Sequence, residues 1–129
     1  LGRRFRALKL WMTLQLLGTD AIKARLRDHI SLAIRIESLL SYHHSLEMAY
    51  PRSFNILSFR IKSSVDSDGR LTKQLSQEIN NSGKAYMTYA VVEGKGLIRW
   101  VPGQTYTSDA NIEATWTLIQ SLLDKIITR

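Results

Sequence analysis

The chain has 129 residues, of which 44% are hydrophobic, and it contains no cysteine. This length accommodates one globular domain with a buried core but not two ordinary domains, and the absence of cysteine excludes a disulfide framework and a thiolate metal site. No apolar run approaches the roughly 20 residues that cross a bilayer, so we expect no membrane partner, and the absence of cysteine favours a cytoplasmic location. The formal net charge is +7.

The positive charge is concentrated in the first 36 residues. Eight lysines and arginines lie there against two aspartates, which leaves one net positive charge for the rest of the chain. A basic helical surface of this kind binds phosphate groups, pairs with an acidic surface or is simply solvated. The charge pattern alone leaves these three readings open.

Two helices are predicted in the first third of the chain. Apolar residues in 5–17 recur at three- and four-residue spacing up to Gly18, which is typical of a helix C-terminus. Thr19 or Asp20 can cap a second helix, in which one apolar stripe runs from 22 to 40. The first of these helices can be a connector to a neighbouring domain.

A strand and a short helix are predicted next. The helical period of apolar residues ends in residues 42–52, which we interpret as a connection. Side chains then alternate over 55–61, which predicts a strand. After a polar loop, apolar residues step by four from Leu71 to Ile79 and predict a short helix that ends near Gly83.

The last part of the chain predicts a hairpin and a final helix. Residues 86–92 and 97–101 flank a glycine-containing turn, and Ser108 can cap a helix with apolar residues from 112 to 126. The predicted order is ααβαββα, which favours an α+β fold in which an antiparallel sheet carries helices on one face.

Several histidines and loops are candidate sites, and each has a simpler interpretation. His43 and His44 are adjacent but lack a third metal ligand at suitable spacing, so we expect a surface loop. His29 lies on an apolar stripe, as interior histidines do. Residues 66–69 resemble a calcium loop, but Leu75 stands where a bidentate glutamate is needed, which favours a turn. No metal site is predicted.

No self-contained active site is evident either. The segment 94–96 lacks the length and the following helix of a phosphate-binding loop, and the chain has neither a Gly-x-Ser-x-Gly elbow nor a cysteine nucleophile. Arg99 is the exception of interest, because a guanidinium in the middle of a strand requires solvent, an ion pair or an anionic ligand. It can anchor a substrate carboxylate or form an ordinary salt bridge.

Three segments carry a family resemblance. The first eleven residues, LGRRFRALKLW, closely resemble the LGRRFRSLKLW motif of the pyridoxal-phosphate-dependent group II amino-acid decarboxylases, which act on aromatic amino acids, tyrosine or histidine. Residues 54–62, FNILSFRIK, are similar to the family's LVCFRLK strand. Residues 97–100, LIRW, are similar to its VLRF strand, and 107–116 resemble its terminal helix, so nearly the whole chain is covered.

The resemblance implies a piece of a larger enzyme with the type I aminotransferase fold. Residues 1–18 would be a connecting helix from a missing large domain, and 19–129 a small C-terminal domain. In the family the Schiff-base lysine and the other cofactor-binding groups lie in the large domain, so this chain would contribute no catalytic or cofactor-binding residue and would be inactive alone. The implied partners are the amino-acid substrate, the large domain of the same protein and a second subunit in a homodimer.

Two substrate-binding residues carry over from the family. Gly2 matches a pocket-wall position where glycine leaves room for a larger ring, which implies an aromatic substrate. Arg99 matches the strand arginine that meets a substrate carboxylate in glutamate-decarboxylating relatives.

Two other functions are compatible with the chain. A truncated, non-catalytic relative could act as an interaction domain. A basic nucleic-acid-binding module is the weaker alternative, because the predicted sheet lacks an aromatic pair flanked by basic residues.

Overall fold

The computed structural model describes residues 4–128. Its elements in chain order are α1 (Arg6–Tyr42), β1 (Leu46–Ser53), β2 (Ile56–Ile61), α2 (Arg70–Asn81), β3 (Thr88–Val92), β4 (Lys95–Trp100) and α3 (Asp109–Ile127). The four strands form one antiparallel sheet in the order β1-β2-β4-β3.

The three helices share one hydrophobic core with one face of the sheet. Leu57, Phe59 and Ile61 of β2 are fully buried against residues of all three helices, whereas the alternate residues of that strand are not buried. A period of two places successive side chains on opposite faces, so all three helices of residues 4–128 pack on one face of the sheet and none packs on the other. The predicted α+β class, with an antiparallel sheet and helices on one face, is confirmed.

The predicted order ααβαββα is wrong in one respect, which is strand β1. The segment that we interpreted as a connection forms an edge strand, so the order is αββαββα when the kinked α1 is counted as one element. Its pairing with β2 shifts register between Met48 and Tyr50 and again between Tyr50 and Ser53. These irregularities and Pro51 interrupt the alternation, and both are tolerated because the strand lies at an edge.

The first two predicted helices correspond to the two parts of α1, which meet at a kink. Gly18 interrupts this element with φ 73° and ψ 164°, a conformation that is essentially restricted to glycine. The part after Gly18 packs on the sheet through Ala33, Ile36 and Leu40, and His29 is also buried on this side. The predicted break in the helix at Gly18 and the interior position of His29 are therefore confirmed.

The loop before α2 is a helix-capping turn. Asp66 is only 4% exposed, and its carboxylate accepts hydrogen bonds from the backbone N–H groups of Leu71 and Thr72 at 3.0 and 2.8 Å. The first N–H groups of a helix have no partner within the helix, so the carboxylate stabilises the start of α2. The predicted turn at residues 66–69 is confirmed.

One ion-pair cluster joins α1 to α3. Arg35 bonds to both Asp109 and Glu113 in the first turns of α3. One member of the basic N-terminal cluster therefore has acidic partners within its own domain.

Candidate functional site

The helix-free face of the sheet carries a row of polar side chains across its middle. The strand register places Tyr50 opposite Ser58, Ser58 opposite Arg99, and Arg99 opposite Thr88. Directly opposed residues in an antiparallel sheet share a face and lie about 5 Å apart. A phenol, two hydroxyls and one guanidinium therefore span the sheet from edge to edge.

A groove of about 370 Å³ lies on this face. Arg99 is its only cationic lining residue among the described side chains, and Tyr50, Ser53 and Ser58 contribute hydroxyl groups. The apolar lining residues are Pro51, Ile56, Ala90, Val92 and Leu97. An apolar cleft with a few polar groups suits a small amphipathic ligand, and here the charge favours a carboxylate.

Arg99 differs from the other two strand arginines in its pairing. Arg52 bonds to Glu37 at 2.7 Å, and Arg60 bonds to Glu47 at 2.6 Å. Within residues 4–128, no carboxylate lies within 4.0 Å of the Arg99 guanidinium. The ordinary salt bridge that the sequence left open for Arg99 is thus not formed inside the described part of the chain.

A hydrogen bond links Tyr50, which lines the groove, to Glu93. Tyr50 Oη donates to Glu93 Oε2 at 3.1 Å, although Tyr50 belongs to one edge strand and Glu93 to the turn after the other. Desolvation and this hydrogen bond raise the pKa of Tyr50, so its hydroxyl stays protonated and donating at neutral pH. The bond connects the two edges of the sheet across its helix-free face.

A second cavity, of about 440 Å³, lies between the end of β4 and the start of α3. Its lining residues include Lys84, Tyr86, Tyr106 and Asn111, and none of the described residues that line it carries a carboxylate. A pyridoxal phosphate site needs a Schiff-base lysine together with a charged partner for the pyridine nitrogen. Neither this cavity nor the Arg99 groove supplies that set, so the described residues do not form a cofactor site by themselves.

The adjacent histidines lie in a turn, as predicted. The rings of His43 and His44 stack at 4.6 Å, and His43 meets Trp116 edge-on at 5.6 Å. Burial and the neighbouring His44 lower the pKa of His43. His43 thus packs against α3, and no group of three or more potential metal ligands occurs among the described residues.

The two predicted substrate-binding residues have different outcomes. Arg99 lies in a groove, whereas Gly2 lies outside the described residues. The sequence analysis missed Tyr50 and Glu93. Tyr50 could not be placed without β1, and no local pattern indicates that Glu93 lies near it.

Comparison with known proteins shows what this arrangement resembles. No family model matches the chain. It is 35% identical over 130 residues to tryptophan decarboxylase 2 of Oryza sativa subsp. japonica, covering 98% of this chain and 26% of the relative. It is 36% identical over 123 residues to a phenylacetaldehyde synthase of Arabidopsis thaliana, covering 93% of this chain and 25% of the relative.

A solved structure gives the same result. The crystal structure of Oryza sativa TDC with PLP and tryptamine matches 98% of this chain and 28% of its own with a TM-score of 0.88, at 27% identity. The predicted resemblance to the pyridoxal-phosphate-dependent group II decarboxylases is confirmed. The chain spans about a quarter of the length of these decarboxylases and related synthases, and its fold matches their small C-terminal domain. Within residues 4–128, no helix has the length and apolar character needed to cross a membrane.

Proposed function

We propose that this chain is the small C-terminal domain of a pyridoxal-phosphate-dependent carboxy-lyase that converts an aromatic L-amino acid to its amine and CO₂. The observation that carries this proposal is the match to the rice enzyme with PLP and tryptamine over 98% of the chain at a TM-score of 0.88. Curated relatives that are 35 and 36% identical support the same chemistry at the level of sequence.

The proposed division of the chain places a connecting helix at 1–18 and the small domain at 19–129. Support comes from the exposed apolar side chains before Gly18, which are Leu8, Leu10, Trp11, Met12, Leu14, Leu16 and Leu17. At 100° per residue these positions surround most of the helix, and a helix that is apolar on most sides is built for burial. We infer that the large domain of the same polypeptide covers this segment.

Arg99 is proposed to meet the carboxylate of the substrate. Its strand position, the groove around it and the absence of a carboxylate partner within residues 4–128 support this role. The carboxylate of an aromatic amino acid is also the group that leaves as neutral CO₂. The ion pair therefore stabilises bound substrate more than the transition state. Its main effect is to lower KM.

Gly2 is proposed to leave space for the substrate ring, which favours a bulky aromatic side chain. This role rests on the motif at the start of the chain. The large domain would hold the cofactor, which when bound supplies an electron sink for the electron pair left by decarboxylation. The isolated chain would then be inactive. A homodimer and a cytoplasmic location belong to the same proposal.

The alternatives have less support. Arg35, Arg52 and Arg60 are paired with carboxylates of the same domain, which reduces the basic surface available to nucleic acid. A non-catalytic interaction domain is the other alternative, and it differs from the enzyme in whether the complete polypeptide carries a Schiff-base lysine.

The test is an assay of the complete polypeptide. The purified protein is incubated with L-tryptophan, L-tyrosine, L-phenylalanine and L-histidine, and CO₂, amine and aldehyde are measured, with absorbance above 400 nm as a check for bound cofactor. Amine and CO₂ in equal amounts from an aromatic substrate support the proposal. Aldehyde in place of amine would indicate a synthase like the Arabidopsis relative. A protein that shows neither bound cofactor nor turnover would indicate the non-catalytic interaction domain.

A further inference from the structure

Two neighbouring residues of the Arg99 groove differ in their exposure to solvent, although no helix of residues 4–128 packs on this face of the sheet. Leu97 lies on this face next to Arg99 in the alternation of β4, yet it is only 3% exposed. Arg99 itself is exposed. Tyr50 and Val92 line the groove together with Leu97. The groove is therefore buried at Leu97 and open to solvent at Arg99.

The Tyr50–Glu93 hydrogen bond fixes the direction of the Tyr50 side chain. Tyr50 belongs to β1 and Glu93 follows β3, and β2 and β4 lie between these strands. A bond between them requires the Tyr50 side chain to extend across the face rather than into solvent. The phenol group is therefore directed toward the turn between β3 and β4, the side of the groove on which Leu97 lies relative to Arg99.

The backbone at Glu93 gives an independent reason to regard this contact as specific. Glu93 has φ 51° and Gly94 has φ 77°, so both residues of the two-residue turn are left-handed. Turns of this kind strongly favour Asn, Asp or Gly at the first position. Glutamate is a poor local choice, and positions that break a local rule are frequently those at which the side chain has another task. Here the side chain of Glu93 holds Tyr50.

We propose that Tyr50, held by Glu93, is the end wall of the Arg99 groove and determines which aromatic ring the enzyme accepts. The inference rests on the proposed role of Arg99. A ligand whose carboxylate pairs with Arg99 extends its ring over Ala90 and Leu97 toward Tyr50. The position of the phenol ring then limits ring size, so indole substrates are restricted more than phenyl substrates.

The experiment measures kcat/KM of the complete enzyme for L-tryptophan and L-phenylalanine with four variants. Tyr50→Ala removes the wall, and Tyr50→Phe keeps the ring but removes the donor to Glu93. Tyr86→Ala is the matched control, because Tyr86 is an exposed tyrosine that lines the other cavity. Arg99→Ala tests the carboxylate pair separately.

We expect Tyr50→Ala to raise the ratio of kcat/KM for tryptophan to kcat/KM for phenylalanine by about fivefold or more. Tyr50→Phe should raise this ratio by about twofold. Tyr86→Ala should leave it unchanged. A fold defect lowers activity toward both substrates together, so the ratio reports on the wall rather than on stability. Inhibition by indole-3-propanoate, which has the ring and carboxylate but no amine, provides a binding readout and should strengthen about fivefold in Tyr50→Ala.

The outcomes separate this inference from the proposal beneath it. An unchanged ratio in Tyr50→Ala, with a raised KM in Arg99→Ala, overturns the wall and leaves the role of Arg99 intact. If Arg99→Ala changes neither KM nor inhibition by indole-3-propanoate, the carboxylate role fails and the wall fails with it. A shifted ratio in Tyr50→Ala together with a raised KM in Arg99→Ala supports both.

Discussion

Asp66 and Thr72 are joined by two hydrogen bonds that connect the loop after β2 to the first turn of α2. Asp66 Oδ2 accepts from the backbone N–H of Thr72 at 2.8 Å and from Thr72 Oγ1 at 2.7 Å. Thr72 Oγ1 also accepts from the backbone N–H of Ile61 at 3.2 Å, at the end of β2. A buried carboxylate and one hydroxyl thus attach α2 to the sheet.

This relationship predicts a local loss of stability at low pH. Burial alone would raise the pKa of Asp66, but the hydrogen bonds from Thr72 and Leu71, with a contribution from Asp68, together lower it. A group whose pKa is lower in the folded state stabilises the fold above its unfolded pKa of roughly 4, and this contribution is lost as pH falls through the folded value. The protection factors of the Leu71 and Thr72 amides against hydrogen exchange, which are observed rates divided into the intrinsic rate at each pH, should fall over that range.

Asp66→Asn tests the same contact at neutral pH. A carboxamide has one acceptor oxygen in place of two, so an N–H group at the start of α2 loses its partner, at a cost of about 1–3 kcal/mol. Exchange of residues 62–75 in the complete protein should accelerate accordingly at pH 7, while Glu78→Gln on the exposed side of the same helix leaves it unchanged. Equal protection in the Asp66 variant and the wild type would contradict the capping role.

Gly18→Ala should destabilise the complete protein by about 1–3 kcal/mol, because the φ and ψ angles of Gly18 are costly for any residue with a Cβ atom. Space is not the reason, since nothing lies within 4 Å of an added Cβ atom. Urea denaturation measures the change. Ala21→Gly is the control, because it alters an exposed helical position by only about 1 kcal/mol. A Gly18 variant as stable as wild type would show that the bend is not required.

Arg99→Ala should raise KM for an aromatic substrate by about tenfold in the complete enzyme and lower kcat/KM by a smaller factor. The reason is that the substrate carboxylate loses its charge as CO₂ departs. Arg99→Lys should recover part of the affinity, since it restores the charge without the bidentate geometry. If a folded Arg99→Ala enzyme has the same kcat and KM as the wild type, Arg99 does not bind the substrate and its role is an interdomain salt bridge.

Gly2→Ser should lower kcat/KM for L-tryptophan relative to L-histidine by about tenfold, because a side chain at the pocket wall excludes the larger ring. The measurement is a competition assay with both amino acids in one mixture. Ala7→Ser, five residues further along the same motif, is the control. An unchanged preference in the Gly2 variant would remove this position from the pocket.

The elements that the sequence predicted correctly are those with strong local periodicity. The stripe from Ile22 to Leu40, the short helix around Leu75 and the hairpin at Gly94 each form where the pattern places them. Strand β1 was not predicted because Pro51 and two register shifts interrupt the alternation of its apolar and polar side chains.

The candidate site could be predicted only in part, for a related reason. Arg99 was recognisable because a guanidinium in an apolar strand is anomalous by itself. Tyr50 and Glu93 are 43 residues apart, and their contact follows from the order of the strands rather than from either local sequence. Cross-sheet contacts of this kind require the register, which single residues do not encode.

The irregular edge strand also affects how copies of the domain can associate. A straight edge offers a row of free N–H and C=O groups to a second sheet, which is a common route to aggregation. In β1, Pro51 lacks an N–H group and the register shifts bend the backbone around it, so a neighbouring strand would find few consecutive partners. The feature that concealed β1 from the sequence analysis therefore also protects this side of the sheet against strand addition.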